Sequence, residues 1–535
     1  MRRTSPALWA GTAVLLLQVP LHLGWMADPS GVMLANPFHG VHAWAAQVVG
    51  DAWGQGRWPS PTTAAGFPLE NRAHYIGWAF LVPAALLRAV VSPLSVIHAA
   101  AWVGPALGAA AMASLIGRLS PDATPAGRTA GAVLYGLAPV TLGAAASGQV
   151  ENAQSWVVPV LLIAVWEAAR RPRLLLLLPP IWLFGALTSP YLGMMAGLAA
   201  PWVAWRGPRR AGVVALGAAA GGLLGARAAL APGDFDAARD VFRPNFGYDG
   251  WPDLWSTPLP VADLDTLLLG PVEPQVRTMV VHQPYLGLAL LLGALALGRD
   301  RRVWAAPVVL GVLLALGPVL AWQQAPLRVF GHALALPAVA LRWVDFPLAH
   351  GGQYYRAAIL AHLGLAGMLA TARAPRGALL VALVGALDAV RSVAAPGLPW
   401  PVEPLPVAAW QAWADDPTPG AVVHVPQFSE HLTPNHPARL AGRTVHGRDM
   451  AAMPRSTAAP PRVQALQLLH ACTMRGAACP PPDLNTLGGL GFRYVALDLA
   501  ATPERVSLRG RLVALWGEPD GAADGLEWWI APASP

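Results

Sequence analysis

The chain contains no lysine. A P-loop needs that side chain on its phosphates, so nucleotide hydrolysis of the P-loop type is excluded. All 36 basic residues other than histidine are therefore arginines, and none falls in a basic block interleaved with aromatics. The formal charge of +7 consequently does not point to nucleic acid. Charge of either sign is scarce, at 12% of 535 residues, about half the share of a soluble chain. Whole reaction signatures are also missing: no GxSxG elbow, no HExxH, no kinase set and no dinucleotide fingerprint followed by an acid. GGLG at 488–491 reads only as a turn. Cysteine is limited to Cys472 and Cys479, close together in CTMRGAACPPP. That spacing suits a small disulfide loop in an oxidising compartment, or a pair of reduced, inert thiols. A zinc site lacks a second pair of ligands at the right spacing.

What the chain has in excess is apolar residues, 55% of the total, with a mean hydropathy of +0.45. Apolar runs near membrane-crossing length occur at 7–26, 74–92, 95–117, 128–147, 152–169, 173–189, 190–206, 210–231, 284–298, 302–321, 354–372 and 376–395. The first has Arg2 and Arg3 before it like a signal peptide, but Trp25 spoils a cleavage site, so it reads as an uncleaved span. The clusters Arg170/Arg171/Arg173, Arg206/Arg209/Arg210, Arg299/Arg301/Arg302 and Arg373/Arg376 follow every second span. Arginines collect in short cytoplasmic loops, which puts the segments 147–152, 232–283, 322–353 and everything after 396 outside. An inside N-terminus and an outside C-terminus require an odd number of spans, so about 11–13 are expected. The stretches 74–117 and 327–341 carry the ambiguity. Gly217, Gly221 and Gly225 form a small-xxx-small stripe for helix packing.

The expected fold class is a polytopic all-α membrane domain over 1–396, with long outer loops near 27–73 and 232–283, and a small extracytoplasmic α/β domain over 397–535. A Pro-rich linker, PGLPWPVEPLP, separates the two. In the C-terminal domain AVVHVPQF, FRYVALDLA, RLVALWGEP and LEWWIAP read as strands, and 462–475 and 503–511 as helices. The first outer loop is longer than a plain connection needs. Its part from His39 to Trp53 places His42, Ala46, Val49 and Trp53 on one helix face, which suggests an interfacial helix lying on the membrane.

A first span, a long outer loop with a helix, many further spans and an outer α/β domain together resemble the GT-C class of membrane glycosyltransferases. More narrowly, HAWAAQVVGDAWGQGRWP, LRWVDFPLAHGGQYYRAAILAHLGLAGMLA and the order AVVHVP, GRTVHGRD, GLGFRYVALD are similar to the YfhO-like bacterial membrane proteins. The resemblance implies a bacterial inner-membrane protein that transfers a sugar from a polyprenyl-phosphate donor to a glycan, lipid or protein acceptor on the outer face. No cofactor is required by it, although a divalent metal is compatible with it. The chemistry needs a carboxylate to deprotonate the acceptor hydroxyl and cations to hold the leaving phosphate.

The family places the carboxylate in the first outer loop, where this chain has Asp28, Asp51 and Glu70. Asp28 is the first choice of general base and Asp51 the second. The position that usually carries an aspartate shortly before the loop tryptophan is instead occupied by Asn36, His39 and His42, ahead of Trp44. His42, Glu70, Glu151, Arg342 and Arg356 are candidate substrate-binding residues. Bland readings stand beside them: Asp28 as a turn residue in Asp-Pro, Glu151 as a helix-start carboxylate, and Arg356 as an interface anchor beside Tyr354 and Tyr355. The alternative function is a non-catalytic membrane protein that binds or moves lipid-linked glycans or lipids, or a scaffold for envelope assembly.

Overall fold

The computed structural model describes residues 5–34, 38–59, 75–230, 264–269, 284–323, 325–330, 332–338, 354–394, 397–425, 437–450, 468–469, 482–498 and 505–532. Two compact units are formed: Met1–Met26, Tyr75–Ala79 and Ala99–Pro401 make the first, and Ala27–His74, Phe80–His98 and Val402–Pro535 the second. The segment after the first helix thus groups with Phe80–His98 and with the C-terminal segment, whereas that helix belongs to the other unit.

Each apolar run of the sequence is helical. The helices are α1 (Pro6–Ala27), α2 (Phe38–Gly54), α3 (Trp78–Leu87), α4 (Pro93–Leu119), α5 (Pro125–Gly136), α6 (Pro139–Ala146), α7 (Val150–Ala153), α8 (Val157–Arg170), α9 (Leu178–Thr188), α10 (Pro190–Ala204), α11 (Arg209–Leu230), α12 (Leu264–Leu269), α13 (Leu288–Leu297), α14 (Arg301–Ala315), α15 (Ala358–Ala370) and α16 (Pro375–Val393). Among the described residues, three stretches are long and apolar enough to cross a membrane on their own: Pro6–Ala27, Pro93–Leu119 and Pro125–Ala146. With 10 residues, α3 spans only about 15 Å, half of a hydrocarbon core. The second ambiguous stretch, 327–341, is not helical where it is described. It carries the short strands β4 (Arg328–Val329) and β5 (His332–Ala333).

The crossing of α14 with α15 is the tightest contact in the first unit. A Cβ on Gly367 would enter the Trp304 indole, one on Gly364 would lie 2.7 Å from the Trp304 carbonyl oxygen, and one on Gly311 would meet the Ala361 amide nitrogen. Trp304 is fully buried and donates its indole N–H to Ser120 Oγ at 3.1 Å. The expected glycine stripe of α11 is displaced. Gly217 and Gly221 face open space, whereas a Cβ on Gly222 would lie 2.6 Å from Pro179 O and from Trp182 Cβ. The buried face runs through Ala215, Ala219, Gly222 and Ala226, an i, i+4, i+7, i+11 stripe one position further round the helix.

The second unit is α/β. Its sheet has the order β7-β8-β10-β9, built from β7 (Ala421–Val425), β8 (Phe492–Asp498), β9 (Gly521–Ala523) and β10 (Leu526–Ile530). β7 and β8 are parallel; the other pairs are antiparallel. Both faces are covered. One side holds Val423, Val425, Phe492, Val495 and Leu497 against Leu508 and Leu512. The other holds Val422, Tyr494, Ala496 and Trp528 against Trp410 and Trp413 of α17 (Val407–Asp415), Ala441 of α18 (Pro437–His446), and Met33 and Ala43 of the first outer loop. Of the strands expected in this region, RLVALWGEP is the exception: Arg511–Trp516 completes a helix from Arg505. The i, i+4 pair Leu508 and Leu512 supplies its buried face. The helix expected over 462–475 lies outside the described residues except for 468–469.

The first outer loop contributes β1 (Val32–Leu34), paired antiparallel with β6 (Val402–Pro404), and α2, packed on α18. His39, His42, Ala43, Trp44, Ala46, Val48, Val49 and Ala52 are all buried in protein. An amphipathic helix resting on a membrane would leave a broad polar face in water, so the interfacial reading of this helix is replaced by a core one.

One arginine ties the loop after α17 to the sheet. The Arg448 guanidinium donates to the carbonyls of Trp413 (2.8 and 2.9 Å), Asp416 (2.6 Å), Thr418 (2.6 Å) and Gly420 (3.3 Å). Its plane lies 4.9 Å from the Tyr494 ring. Lysine cannot reproduce this fork. Arg448→Lys is expected to cost about 3 kcal/mol, read as earlier cleavage of 402–535 by limited proteolysis of the intact protein.

The same unit has a built-in acid sensitivity. Burial, and then the charges of Arg443 and Arg448, push the His446 imidazole down to about 3. Between that value and the ordinary histidine range near 6.5 the unfolded chain binds a proton that the folded chain refuses. Stability therefore falls as pH drops through this window, by up to about 1.4 kcal/mol per pH unit. Asp416 acts in the same direction at lower pH. The Tyr494 hydroxyl, then Thr418 and Arg493, hold its carboxyl well below the usual range, so its contribution is present above about 3.8 and lost below. Thermal melting between pH 7.5 and 4 should show the fall, and His446→Gln should flatten it.

Candidate functional site

The octapeptide SGQVENAQ interrupts two apolar runs, and the chain turns there for local reasons. Gly148 takes φ +71°, Gln149 N donates to Ala144 O at 2.9 Å, and Gly148 N to Ala145 O at 3.1 Å, a left-handed C-cap that closes α6. The single turn α7 follows and puts Gln149 and Asn152 on one side. It is anchored by Gln154 Nε2, which donates to Ala100 O and Val150 O at 3.1 and 3.0 Å. Tyr135 OH donates to Ser155 O at 2.9 Å.

Arg356 approaches from a 3-10 turn, Tyr354–Ala357, that leads into α15. It is only 7% exposed, so it does not snorkel. Its Nη2 donates to Gln149 Oε1 at 2.8 Å, its Nε lies 3.4 Å from the Tyr355 hydroxyl, and its guanidinium carbon sits 4.0 Å from the centroid of Tyr191. A polar relay continues from there: Asn152 Nδ2 donates to Gln149 Oε1 (3.2 Å) and to Glu151 Oε1 (2.9 Å), and Ser189 Oγ donates to Asn152 Oδ1 (3.0 Å). Ser189 also caps α10 by accepting from Leu192 N at 3.3 Å. Glu151 is buried and interacts electrostatically with both Arg356 and Tyr191.

Gln149, Asn152, Tyr355 and Arg356 of this group line a small, partly open pocket together with Thr141 and Ser147. The rest of the wall is apolar: Val140, Ala144, Leu192 and Ile359. The N-termini of α10 and α15 both begin at this place, adding partial positive charge to the guanidinium. The arrangement suits an anion whose remainder is apolar. Among the described residues no three His, Cys, Asp or Glu side chains converge as metal ligands.

No protein-family model matches the chain, and no curated protein matches it. Among solved structures, the arabinofuranosyltransferase AftD from Mycobacteria aligns with 99% of this chain and 40% of its own, at 15% identity and a TM-score of 0.52. A mutant of the same enzyme gives 16% identity, coverages of 99% and 41%, and the same TM-score. An oligosaccharyltransferase from Archaeoglobus fulgidus aligns over 92% of this chain and 68% of its own at 12% identity, with a TM-score of 0.40. The fold is similar to that of AftD. The chain is an integral membrane protein and spans about two fifths of the length of AftD.

Within this fold the candidate residues of the sequence part company. Arg356 and Glu151 are linked through the side chains of Gln149 and Asn152. Asp28 accepts the Gly31 N–H at 2.9 Å and so closes its own turn. Asp51 accepts from Gln47 at 3.0 Å and is ion-paired with Arg88 (3.7 Å) and Arg443 (3.8 Å). His42 is buried, edge-on to Phe80 at 5.1 Å. All three belong to the second unit and none lines the Arg356 pocket. Glu70, Arg342, Cys472 and Cys479, and nearly all of the outer loop 232–283, lie outside the described residues. Gln149, Asn152, Tyr191 and Ser189 were not among the candidates. The signal for the first two was the run of uncharged polar residues around Glu151, at a depth where apolar residues surround it.

Proposed function

We propose that this protein is a membrane glycosyltransferase that takes a sugar from a polyprenyl-phosphate donor and passes it to an acceptor on the outer face of the membrane. The observation that carries the reading is the buried Arg356, held by Gln149 and the Tyr191 ring, at a pocket lined by both polar and apolar side chains. Such a pocket suits a phosphate joined to a hydrocarbon chain. In the reaction the acceptor oxygen bonds to the anomeric carbon, the bond from that carbon to the phosphate oxygen breaks, and Arg356 carries the charge of the departing polyprenyl phosphate. A carboxylate takes the proton of the acceptor hydroxyl. We assign that task to Glu151, which is joined to Arg356 through Asn152 and Gln149; Asp28 closes its own turn and Asp51 is ion-paired, both in the second unit. The arginine clusters, each at a junction between helices, are assigned to the cytoplasmic side, which leaves the Tyr354–Ala357 turn and the segment after residue 396 outside. The narrower YfhO-like assignment rests on the motifs quoted above.

The alternative, a protein that binds or moves lipid-linked glycans without transferring them, is favoured by one observation: Asp28 and Asp51 of the first outer loop spend their oxygens on protein partners. The two readings separate in one experiment. In the producing cell, Glu151→Gln is expected to remove a glycan while leaving polyprenyl-phosphate binding by the purified protein intact, and Asp28→Asn to change neither. Retention of every glycan in Glu151→Gln and Arg356→Ala cells, with binding lost only in the latter, would establish the binder.

A further inference from the structure

Residues 318–336 form a three-armed β element. Leu327 N donates to Leu320 O, Leu334 N to Leu327 O, and Leu320 N to Leu334 O, at 2.9, 2.9 and 3.0 Å. This closed ring of three leucines, seven residues apart, has a short hairpin leaving two of its sides and the paired entering and leaving strands on the third. The first arm is β2 (Ala321–Trp322) with β3 (Ala325–Pro326), the second is β4 with β5, and the third pairs Val319 with Ala335. Side chains alternate along each arm, so Leu320, Trp322, Leu327, Val329 and Leu334 share one face. On the opposite face Ala321 is buried, and α12 packs there, with Asp265 accepting the Gln323 N–H at 3.2 Å.

The leucine face is uncovered among the described residues. Trp322, Leu327 and Leu334 are each about two fifths exposed, Val329 is 51% and Phe330 98% exposed. Phe330 also takes φ +50° at the tip of the second arm. Asparagine or glycine normally fills such a place, and a bulky side chain there costs about 1–2 kcal/mol. Local folding therefore gains nothing from a phenylalanine at this tip, and water would disfavour a face of this composition. The element starts where α14 ends: five residues separate Ala315 from Leu320, a reach of at most about 17 Å. With α14 read as a membrane span from its apolar run at 302–321, its end delivers this face to the bilayer surface, where aromatic residues are at their most favourable.

We propose that this three-armed element is a membrane anchor, whose leucine face and Phe330 tip rest in the headgroup and upper acyl region of the lipid leaflet at the end of α14. The inference rests on the chain spanning a membrane and is independent of sugar transfer. The test uses the full-length protein with Cys472→Ala and Cys479→Ala, reconstituted in phospholipid nanodiscs. An environment-sensitive fluorophore is attached at Phe330→Cys, or at Leu515→Cys as an exposed reference in the second unit. Lipids bearing a quencher just below the headgroup are expected to quench the probe at 330 at least twofold and to leave the one at 515 unchanged. Equal behaviour at the two positions overturns the proposal. So does quenching at 330 that disappears when polyprenyl phosphate is added, since the occupant is then a single lipid ligand rather than the leaflet. Phe330→Asn separates anchoring from folding. Its melting temperature in detergent should not fall, while a probe at Trp322→Cys should lose most of its quenching.

Discussion

Arg356→Ala is expected to abolish transfer, lowering kcat/KM at least about a hundredfold in an assay with a polyprenyl-phosphate donor. Removing a single donor to a developing anion typically costs about 10²- to 10³-fold, and here the lost group is a full charge in a buried site. Its neighbours add to the loss. Gln149 Oε1 forfeits its 2.8 Å partner and keeps only the donation from Asn152, and the Tyr191 face loses its cation. Arg356→Lys is the discriminating variant. It keeps the charge but offers a compact ammonium in place of a planar fork. Lysine should therefore restore donor binding more than it restores turnover. Equal rescue of both would mean that only charge matters at this position. A structural collapse would instead remove binding in both variants together with the melting transition.

Gly367→Leu is expected to prevent folding of the first unit, with a cost of at least about 3 kcal/mol and loss of a monodisperse peak in size-exclusion chromatography. The first atom of any side chain there enters the Trp304 indole, and that ring cannot retreat, because it is fully buried and hydrogen-bonded to Ser120. Even Gly367→Ala, which would gain about 1 kcal/mol in an open helix, should be destabilising. Gly217→Ala supplies the contrast. Nothing lies within 4 Å of its new Cβ, so the helix propensity is gained without a clash, and melting should rise slightly. If the two alanine variants shift melting alike, close packing at the α14–α15 crossing is not what sets stability.

These contrasts also mark how far the chain could be read from residue types alone. Apolar runs located the long helices of the first unit, because a span must satisfy its backbone internally and so declares itself by length and hydropathy. Which side of a helix meets a neighbour was not written there: the spacing of four in Gly217, Gly221 and Gly225 is shared by the true contact stripe through Gly222, one position away. The amphipathic pattern of α2 was read correctly as a pattern and wrongly as a membrane surface, since a buried helix and an interfacial one look alike until the partner is known. RLVALW was taken for a strand because six residues cannot distinguish a period of two from one of 3.6. In the candidate site Arg356 and Glu151 were legible as ionisable groups at the ends of apolar runs. Their meeting was not, because it depends on a left-handed Gly148 and on a contact between residues 149 and 356. The glutamine and asparagine that join them carry no charge to announce a site.

The pairing of β1 with β6 carries a consequence for how the chain is made. Leu34 finds Val402 only after about 370 further residues have been synthesised. At roughly 5–20 residues per second that is a wait of about 20 to 70 s. Throughout it Met33, Ala43 and the rest of the first outer loop lack the tryptophans that will cover them. The segment 402–535 made on its own would likewise lack one strand partner and the helix on which α18 packs. Supplying residues 27–98 in trans should therefore rescue it, whereas cutting the gene at the Pro-rich linker should yield two fragments that each aggregate.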